Sequence, residues 1–370
     1  MMIESFLEHA TPMWMYVEDD YSDIVISTRI RLARNLDGYR FPLAFSENEA
    51  LQVEQAVTHA VSDSPTLQND YAYFAIKDLT PLQRQILVEK HLISPQLAKK
   101  EQVGSILLSE DESVSIMVNE EDHLRIQCMT ASFQLQRAYE QANKIDRILE
   151  KALPYAFRDT FGYLTSCPTN IGTGLRASVM MHLPALTLTG QMNQIINAMT
   201  RLGMTVRGIY GEGSENLGNI YQVSNQITLG KTEEDILTDI QSVAEKIIQK
   251  ERHARGKLME KAELALEDRV YRALGTLTHA RILTSEEAAT CLSNVRLGVD
   301  LQLITGIQPT TLNECVVSMQ PAFLQHYAGE VLPPAERDRV RAKMLREVLL
   351  AQKYTNKPMN GEKGEDLYDV

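Results

Sequence analysis

Cysteine is scarce in this 370-residue chain: Cys128, Cys167, Cys291 and Cys315 are scattered, with no Cys-x-x-Cys pair. Such spacing argues against a structural zinc site and a disulfide framework, and it suits a reducing cytoplasm. Long apolar runs are missing as well, so no bilayer-spanning helix is expected. The N-terminal MMIESFLEHATPMW has neither a basic n-region nor an apolar h-region, and no signal peptide is expected. Excess positive charge is also lacking. A net charge of -12 makes a broad nucleic-acid surface unexpected. Familiar nucleotide signatures are absent: there is no G-x-x-x-x-G-K-[ST], no H-R-D and no D-F-G. Gly172-Thr-Gly-Leu-Arg-Ala177 does fit G-x-G-x-x-A. However, Pro184 truncates any following helix, and no acidic residue occurs before Glu212 to bind a ribose.

Negative charge is locally missing too. Residues 160–211 contain no Asp or Glu, although the chain carries 49 acidic and 37 basic residues. The same window holds Arg176, Arg201 and Arg207 and no Lys. One reading is a buried segment whose arginines reach solvent. The sharper reading is an anion-binding face, because the planar Arg fork matches phosphate oxygens two at a time.

What is present is an alternation of short strands and helices. SILLS (105–109), SVSIMV (113–118) and LRIQCM (124–129) read as an antiparallel meander. FQLQRAYEQANKIDRILEKAL (133–153) has helical apolar spacing. GYLTS (162–166) and RASVMMHL (176–183) read as strands around the loop CPTNIGTG. TLTGQMNQIINAMTRLG (187–203) reads as one helix stopped at Gly203. TVRGIYG and NIYQVSNQITLG read as strands around a loop containing Glu212. From 232 to about 350 the pattern is nearly all helical, beginning with one very long helix or two. The expected fold is α+β with a mostly antiparallel sheet flanked by helices, followed by an all-α domain. The expected boundaries are 1–254, 255–355 and a disordered polar tail, 356–370.

Arg29 and Arg31 in STRIRLARN, Arg125 in NEEDHLR, Arg176 in GLRASVM and Arg207 in VRGIYGE all sit in strand-like stretches. Period-two spacing can turn such side chains to one face. Converging guanidinium groups repel unless an anion lies among them, and a nucleotide triphosphate is the natural candidate. These four segments, with CPTNIGTGLRAS, resemble the phosphagen (guanidino) kinase catalytic domain in order and spacing, over about residues 22–254. The layout resembles the bacterial protein-arginine kinase branch of that family. With the first motif at Ser27, the helical domain that helps small-substrate relatives enclose their substrate is expected to be missing. A C-terminal helical region carries Arg337-Asp-Arg-Val-Arg-Ala342 instead.

The resemblance implies a phosphagen-kinase-like fold and transfer of the ATP γ-phosphoryl to arginine side chains of proteins. It implies Glu121 and Glu212 as carboxylates gripping the acceptor guanidinium, with the general base open between them. It implies Cys167 as a third substrate contact; by itself a lone Cys is more often buried and inert. Its setting near arginines favours a thiolate, whereas Cys128 alternates with apolar residues and belongs to the core. The nucleotide cradle would comprise Ser27, Thr28, Arg29, Ile30 and Arg31; His91; Arg125; Arg176, Ala177, Ser178, Val179 and Met180; and Arg207, Gly208, Ile209, Tyr210 and Gly211. A lone His is otherwise a structural hydrogen-bonder, and His123 reads as ordering its loop. No dedicated acidic metal cage is visible, so Mg²⁺ would be held mainly by phosphates and water. Arg337, Asp338, Arg341 and Ala342 would bind phosphoarginine as an allosteric ligand; composition alone allows a solvated basic helix face.

Partners implied by the resemblance are arginine-bearing client proteins, a zinc-binding activator (McsA), the Clp protease machinery and its stress-regulator substrate. A homodimer or larger homo-oligomer is expected, with no nucleic acid and no membrane. The acidic surface would favour basic clients. Two rivals share parts of this pattern: a kinase of free arginine or another small guanidino compound, and a non-catalytic phosphoarginine-binding adaptor.

Overall fold

The computed structural model describes residues 2–8, 12, 15, 19–68, 70–210, 216–352 and 354–356, excepting the side chains of 209, 210, 216, 355 and 356. Its strands are β1 (Val25–Arg34), β2 (Tyr71–Ala75), β3 (Ser105–Ser109), β4 (Val114–Val118), β5 (Leu124–Ala131), β6 (Phe157–Arg158), β7 (Gly162–Tyr163), β8 (Leu175–His182), β9 (Met204–Tyr210), β10 (Asn216–Asn225), β11 (Ile304–Thr305) and β12 (Thr355–Asn356). Eight form one sheet in the order β2-β3-β4-β5-β1-β8-β10-β9, with every neighbouring pair antiparallel. The expected meander is its β3-β4-β5 portion. β6 and β7 form a small separate hairpin, and β11 pairs with β12.

The helices are α1 (Glu47–Ser62), α2 (Pro81–Glu89), α3 (Pro95–Ala98), α4 (Leu135–Glu150), α5 (Pro184–Leu188), α6 (Met192–Arg201), α7 (Glu233–His279), α8 (Ser285–Asp300), α9 (Pro309–Ser318), α10 (Pro321–Ala328) and α11 (Pro334–Leu350). A capping box, Ser46 with Glu49, starts α1 by satisfying otherwise unpaired N–H groups. Leu135, Ala138, Ala142, Ile145 and Leu149 make the buried stripe of α4. That stripe, α1 and the first half of α7 cover one face of the sheet, against Ile30, Leu32, Ile126, Cys128, Ala177 and Val179. The long helix runs continuously past residue 254 and kinks at Ala262 (φ -146°, ψ 32°). After the kink it joins a second core with α8, α9 and α11.

The opposite face is only partly covered. Near β3 and β4, Ile106 and Met117 share a core with Phe6, Ile86 and Leu87 and, from the C-terminal helices, Val317, Ala322 and Phe323. Farther along, Ser293 of α8 bonds His182 Nε2 (2.8 Å) and accepts from Asn219 Nδ2 (2.8 Å). Between these helical covers lies a strip of sheet rich in arginine.

Two expected elements differ. The helix expected over 187–203 is broken into α5 and α6, with Gly190 at φ 70° between them. The strand expected at 162–166 shrinks to Gly162–Tyr163, because its backbone pairs only with short neighbours. The tail beyond 356 lies outside the described residues.

Candidate active site

Cross-strand register builds the site. Arg31 of β1 lies opposite Arg176 of β8 and Gln127 of β5, while Arg29 lies opposite Ser178 and Met129. Arg125 lies opposite Ala33, and Arg207 of β9 lies opposite Gln222 of β10. Directly opposed residues share a face, so Ser27, Arg29, Arg31, Arg125, Arg176, Ser178 and Arg207 all turn to the same side. Thr28, Ile30, Ala177 and Val179 turn to the other side and are buried. Their side chains face away from the arginines, as the two-residue period requires, which leaves their backbone groups as what they present to the cradle. Met180 shares the arginine face but lines a separate apolar cavity beneath α8. Gly208 pairs with Tyr221 in the sheet. Gly211 and Glu212, and the side chains of Ile209 and Tyr210, lie outside the described residues.

Two neighbouring cavities open on this face. The smaller, of about 200 Å³, is lined by Arg31, Glu121, Arg125, Cys167, Asn170 and Arg176 among others. The larger, of about 470 Å³, is lined by Arg29, Arg31, His91, Arg125 and Gln127, and by Gln320 and Pro321 from the C-terminal part. Arg31 and Arg125 therefore border both. Burial and the nearby Arg29, Arg125 and Arg176 push the Arg31 guanidinium well below its usual range. Arg176 is lowered by burial and by Arg207 and Arg125. The Nε atoms of Arg31 and Arg176 are buried without hydrogen-bond partners. Clustered cations with buried unsatisfied donors are the signature of an anion site.

The acidic turn Glu120-Glu121-Asp122 divides its labour. Buried Glu120 accepts from Arg125 Nη1 (2.8 Å) and from the Glu121 N–H (2.8 Å). Half-exposed Glu121 accepts from Arg125 Nη2 (2.7 Å) and faces the smaller cavity. Asp122 accepts from Asn35 Nδ2 and the Ser166 N–H, both at 2.6 Å, tying this turn to the loop that carries Cys167. His123 orders the turn: its Nδ1 accepts from the Leu36 N–H (3.0 Å), and its Nε2 lies 3.0 Å from Arg40 O. Burial pushes it down to about 4, so it stays neutral at pH 7.

Cys167 Sγ lies 3.0 Å from Thr169 Oγ1 at the cavity wall. Cys128 is fully buried in the core, as its alternation implied. His91 is pushed down to about 3 by burial, then by Arg29, and its carbonyl accepts from Gln127 Nε2 (2.8 Å). Nothing in the sequence assigns a role to Glu120, Asp122 or Asn35. The signal was the unusual density of charge in NEEDHLR, which cannot say which carboxylate turns inward.

The C-terminal hexamer is not a solvated face. Arg341 is buried, donating to Met319 O (3.1 Å), Leu283 O (2.9 Å) and Asp338 Oδ1 (2.5 Å). Ala342 is buried in the second core. Arg337 and Asp338 are half-buried.

Residues 52–254 match the family model of the ATP:guanido phosphotransferase C-terminal catalytic domain. The fold is similar to that of the duplicated taurocyamine kinase from Schistosoma mansoni, solved with bound transition-state-analogue components. That likeness has 26% identity and a TM-score of 0.58 over 64% of this chain and 34% of that one, so this chain spans about a third of it. It is also similar to lombricine kinase, at 26% identity and a TM-score of 0.56, over 62% of this chain and 67% of that one. Fold and site thus define a guanidino-kinase-type phosphotransferase. Residues 263–360 match the model of the Protein-arginine kinase McsB C-terminal domain. The chain is 52% identical to the protein-arginine kinase of Halalkalibacterium halodurans, over 96% of this chain and 100% of that one. It is 50% identical to that of Bacillus subtilis, over 99% of each. The chain belongs to the protein-arginine kinase family.

Proposed function

We propose that this chain transfers the γ-phosphoryl group of ATP to a guanidinium nitrogen of arginine side chains in proteins. The observation that carries this reading is that Arg31 and Arg125 border both cavities, while Glu121 and Cys167 line only the smaller one. The larger cavity then suits the nucleotide, with its phosphates running toward Arg31 and Arg125. The smaller suits the acceptor guanidinium. Glu121 sits on their boundary, bonded to Arg125.

In this reading Glu121 and Glu212 hold two edges of the guanidinium, and Cys167 contacts it from the loop side. A guanidinium has a pKa above about 12 and is a poor nucleophile. Orientation by paired carboxylates and loss of a proton to one of them make its nitrogen reactive. The N–P bond forms as the bond from Pγ to the β,γ-bridging oxygen breaks, and that electron pair leaves on ADP. Arg29, Arg31, Arg125, Arg176 and Arg207 neutralise charge on the transferring group, so catalysis is chiefly positioning and electrostatics. Mg²⁺ would enter with ATP, held mainly through phosphate oxygens and water. His91, lining the larger cavity, is assigned to the nucleotide.

Arg337 and Asp338 are assigned to phosphoarginine, with buried Arg341 and Ala342 shaping that pocket. Arg341 holds Met319 O, and the next two residues, Gln320 and Pro321, line the larger cavity. This short path supports coupling between the two sites. The family resemblance further assigns the chain to protein marking for Clp proteolysis under stress, with McsA as activator, in the cytoplasm and as a homo-oligomer.

The test is phosphate transfer from Mg-ATP to an arginine-rich unfolded protein, run beside free arginine and a Glu121→Ala control. Acid-labile phosphate on protein, absent in the variant, supports the proposal. Labelling of free arginine alone overturns the choice of acceptor. No transfer to either acceptor, even with the activator added, overturns the catalytic reading.

A further inference from the structure

We infer that the β6–β7 hairpin and the turn at Leu229 form a docking surface for an apolar side chain of the protein substrate, a few residues from the target arginine. The inference rests on the acceptor-pocket reading above.

The surface is a rigid platform. Tyr163 and Gly172 bond through both backbones (N···O 2.8 and 3.3 Å), fixing the hairpin to the loop that carries Cys167. A Cβ on Gly162 would fall 2.4 Å from Gly172 O, and one on Gly172 (φ 114°) would fall 2.8 Å from Thr228 O. Thr228 Oγ1 in turn donates to Thr169 O (2.9 Å) and Ile171 O (2.7 Å). Three segments are thus stacked at backbone contact, which only glycine permits.

On this platform the apolar groups turn outward. Phe157, Phe161 and Leu229 are 45%, 55% and 52% exposed around an open cleft of about 460 Å³. The charged groups of the cleft are already engaged: Lys231 with Asp239 (2.6 Å), and Glu233 with Tyr139 and, at 4.0 Å, Arg34. Around a lining that also carries Thr160, Thr173 and glycine backbone, these three exposed side chains are the apolar area the cleft offers.

The occupant follows from continuity. Gly174 and Asn170 line the acceptor cavity, whereas Thr173 and Gly172 of the same loop line the cleft. One loop's thickness therefore separates the two. A polypeptide whose arginine side chain enters the acceptor cavity from this side passes its backbone over that rim. A chain spans at most about 3.5 Å per residue, so a residue roughly two to four positions away reaches the cleft. Free arginine has no such residue, so this surface separates peptide from small-molecule acceptors.

The test uses the full chain and a panel of peptides, each with one arginine. A Leu is walked through the positions on either side of it in an otherwise polar background. At the best position, kcat/KM is expected to exceed that of the Ser-only peptide by about tenfold. In Phe157→Ser/Phe161→Ser, and separately in Leu229→Ser, the ratio is expected to fall toward one. All three side chains are exposed, and retained ATP-induced thermal stabilisation reports that each variant is folded. A flat panel in the wild type, or a preference surviving both variants, overturns the inference. A change in oligomeric state with an unchanged preference also overturns it, in favour of a contact between copies. No transfer to any peptide overturns the acceptor-pocket reading, and the docking surface with it.

Discussion

Three adjacent residues of the acidic turn, Glu121, Asp122 and His123, meet three fates, and each can be tested at the residue scale. Glu121 is half-exposed and bonded only at the cavity edge. Glu121→Gln should lower kcat by roughly 10²–10⁴-fold, the range for a positioned side chain that takes part in proton transfer, with little change in denaturant midpoint. Asp122 accepts the Ser166 N–H, and it shares Asn35 Nδ2 with Leu164 O. Asp122→Ala should cost about 2–4 kcal/mol in urea unfolding, since buried donors lose their acceptor, and should also loosen the Cys167 loop. His123 predicts a pH effect. Its folded pKa of about 4 lies below the unfolded value of about 6.5. As pH falls from 6.5 the unfolded chain takes up a proton that the folded imidazole refuses, so stability is lost between about 6.5 and 4, by up to ~3 kcal/mol. A His123 NMR resonance that titrates above pH 6 would contradict this assignment.

At the scale of elements, the glycines of the Cys167 loop are not interchangeable. Gly172 combines φ 114° with a backbone oxygen where its Cβ would sit, whereas Gly190 (φ 70°) faces open space. Gly172→Ala should cost about 2–3 kcal/mol and impair transfer; Gly190→Ala should cost only the left-handed backbone term, about 1 kcal/mol. Paired unfolding curves and rates would separate the two. The same elements mark how far sequence reading reached. The arginine strands were legible, because period two is a local property of the chain. The break between α5 and α6 was not, because the apolar spacing runs straight through Gly190. The tight contact of Gly162 with Gly172 was invisible, since it depends on two segments folding back on each other.

At the scale of the whole molecule, the catalytic sheet and the C-terminal helices share a core. Phe323 packs with Phe6, Ile86 and Ile106, and buried Glu89 accepts from the Ala322 (2.9 Å) and Phe323 (3.1 Å) N–H groups at the start of α10. Phe323→Ala should therefore destabilise the chain by about 3–5 kcal/mol in a single cooperative transition, rather than melting the C-terminal helices alone. Calorimetry showing an unchanged catalytic-domain transition would refute this. ATP at about a hundred times its Kd should add about 2.7 kcal/mol to that same transition, as an anion relieves the repulsion around Arg31.

The chain by itself determined the chemistry available: arginines spaced on strands, an acid-free window opposite an acid-rich turn, one cysteine in a glycine-rich loop. Local spacing is written in adjacent residues, so it survives without a fold. Tertiary structure decided which groups meet. β1 pairs with strands whose contacting residues lie 104 and 149 positions away, and only that pairing brings Arg31 beside Arg125 and Arg176. It also decided that Glu120 braces an arginine while Glu121 faces the cavity, and that Arg341 is buried among carbonyls rather than solvated. Such choices depend on packing against distant segments, where burial makes one arrangement of charges much lower in free energy than the others.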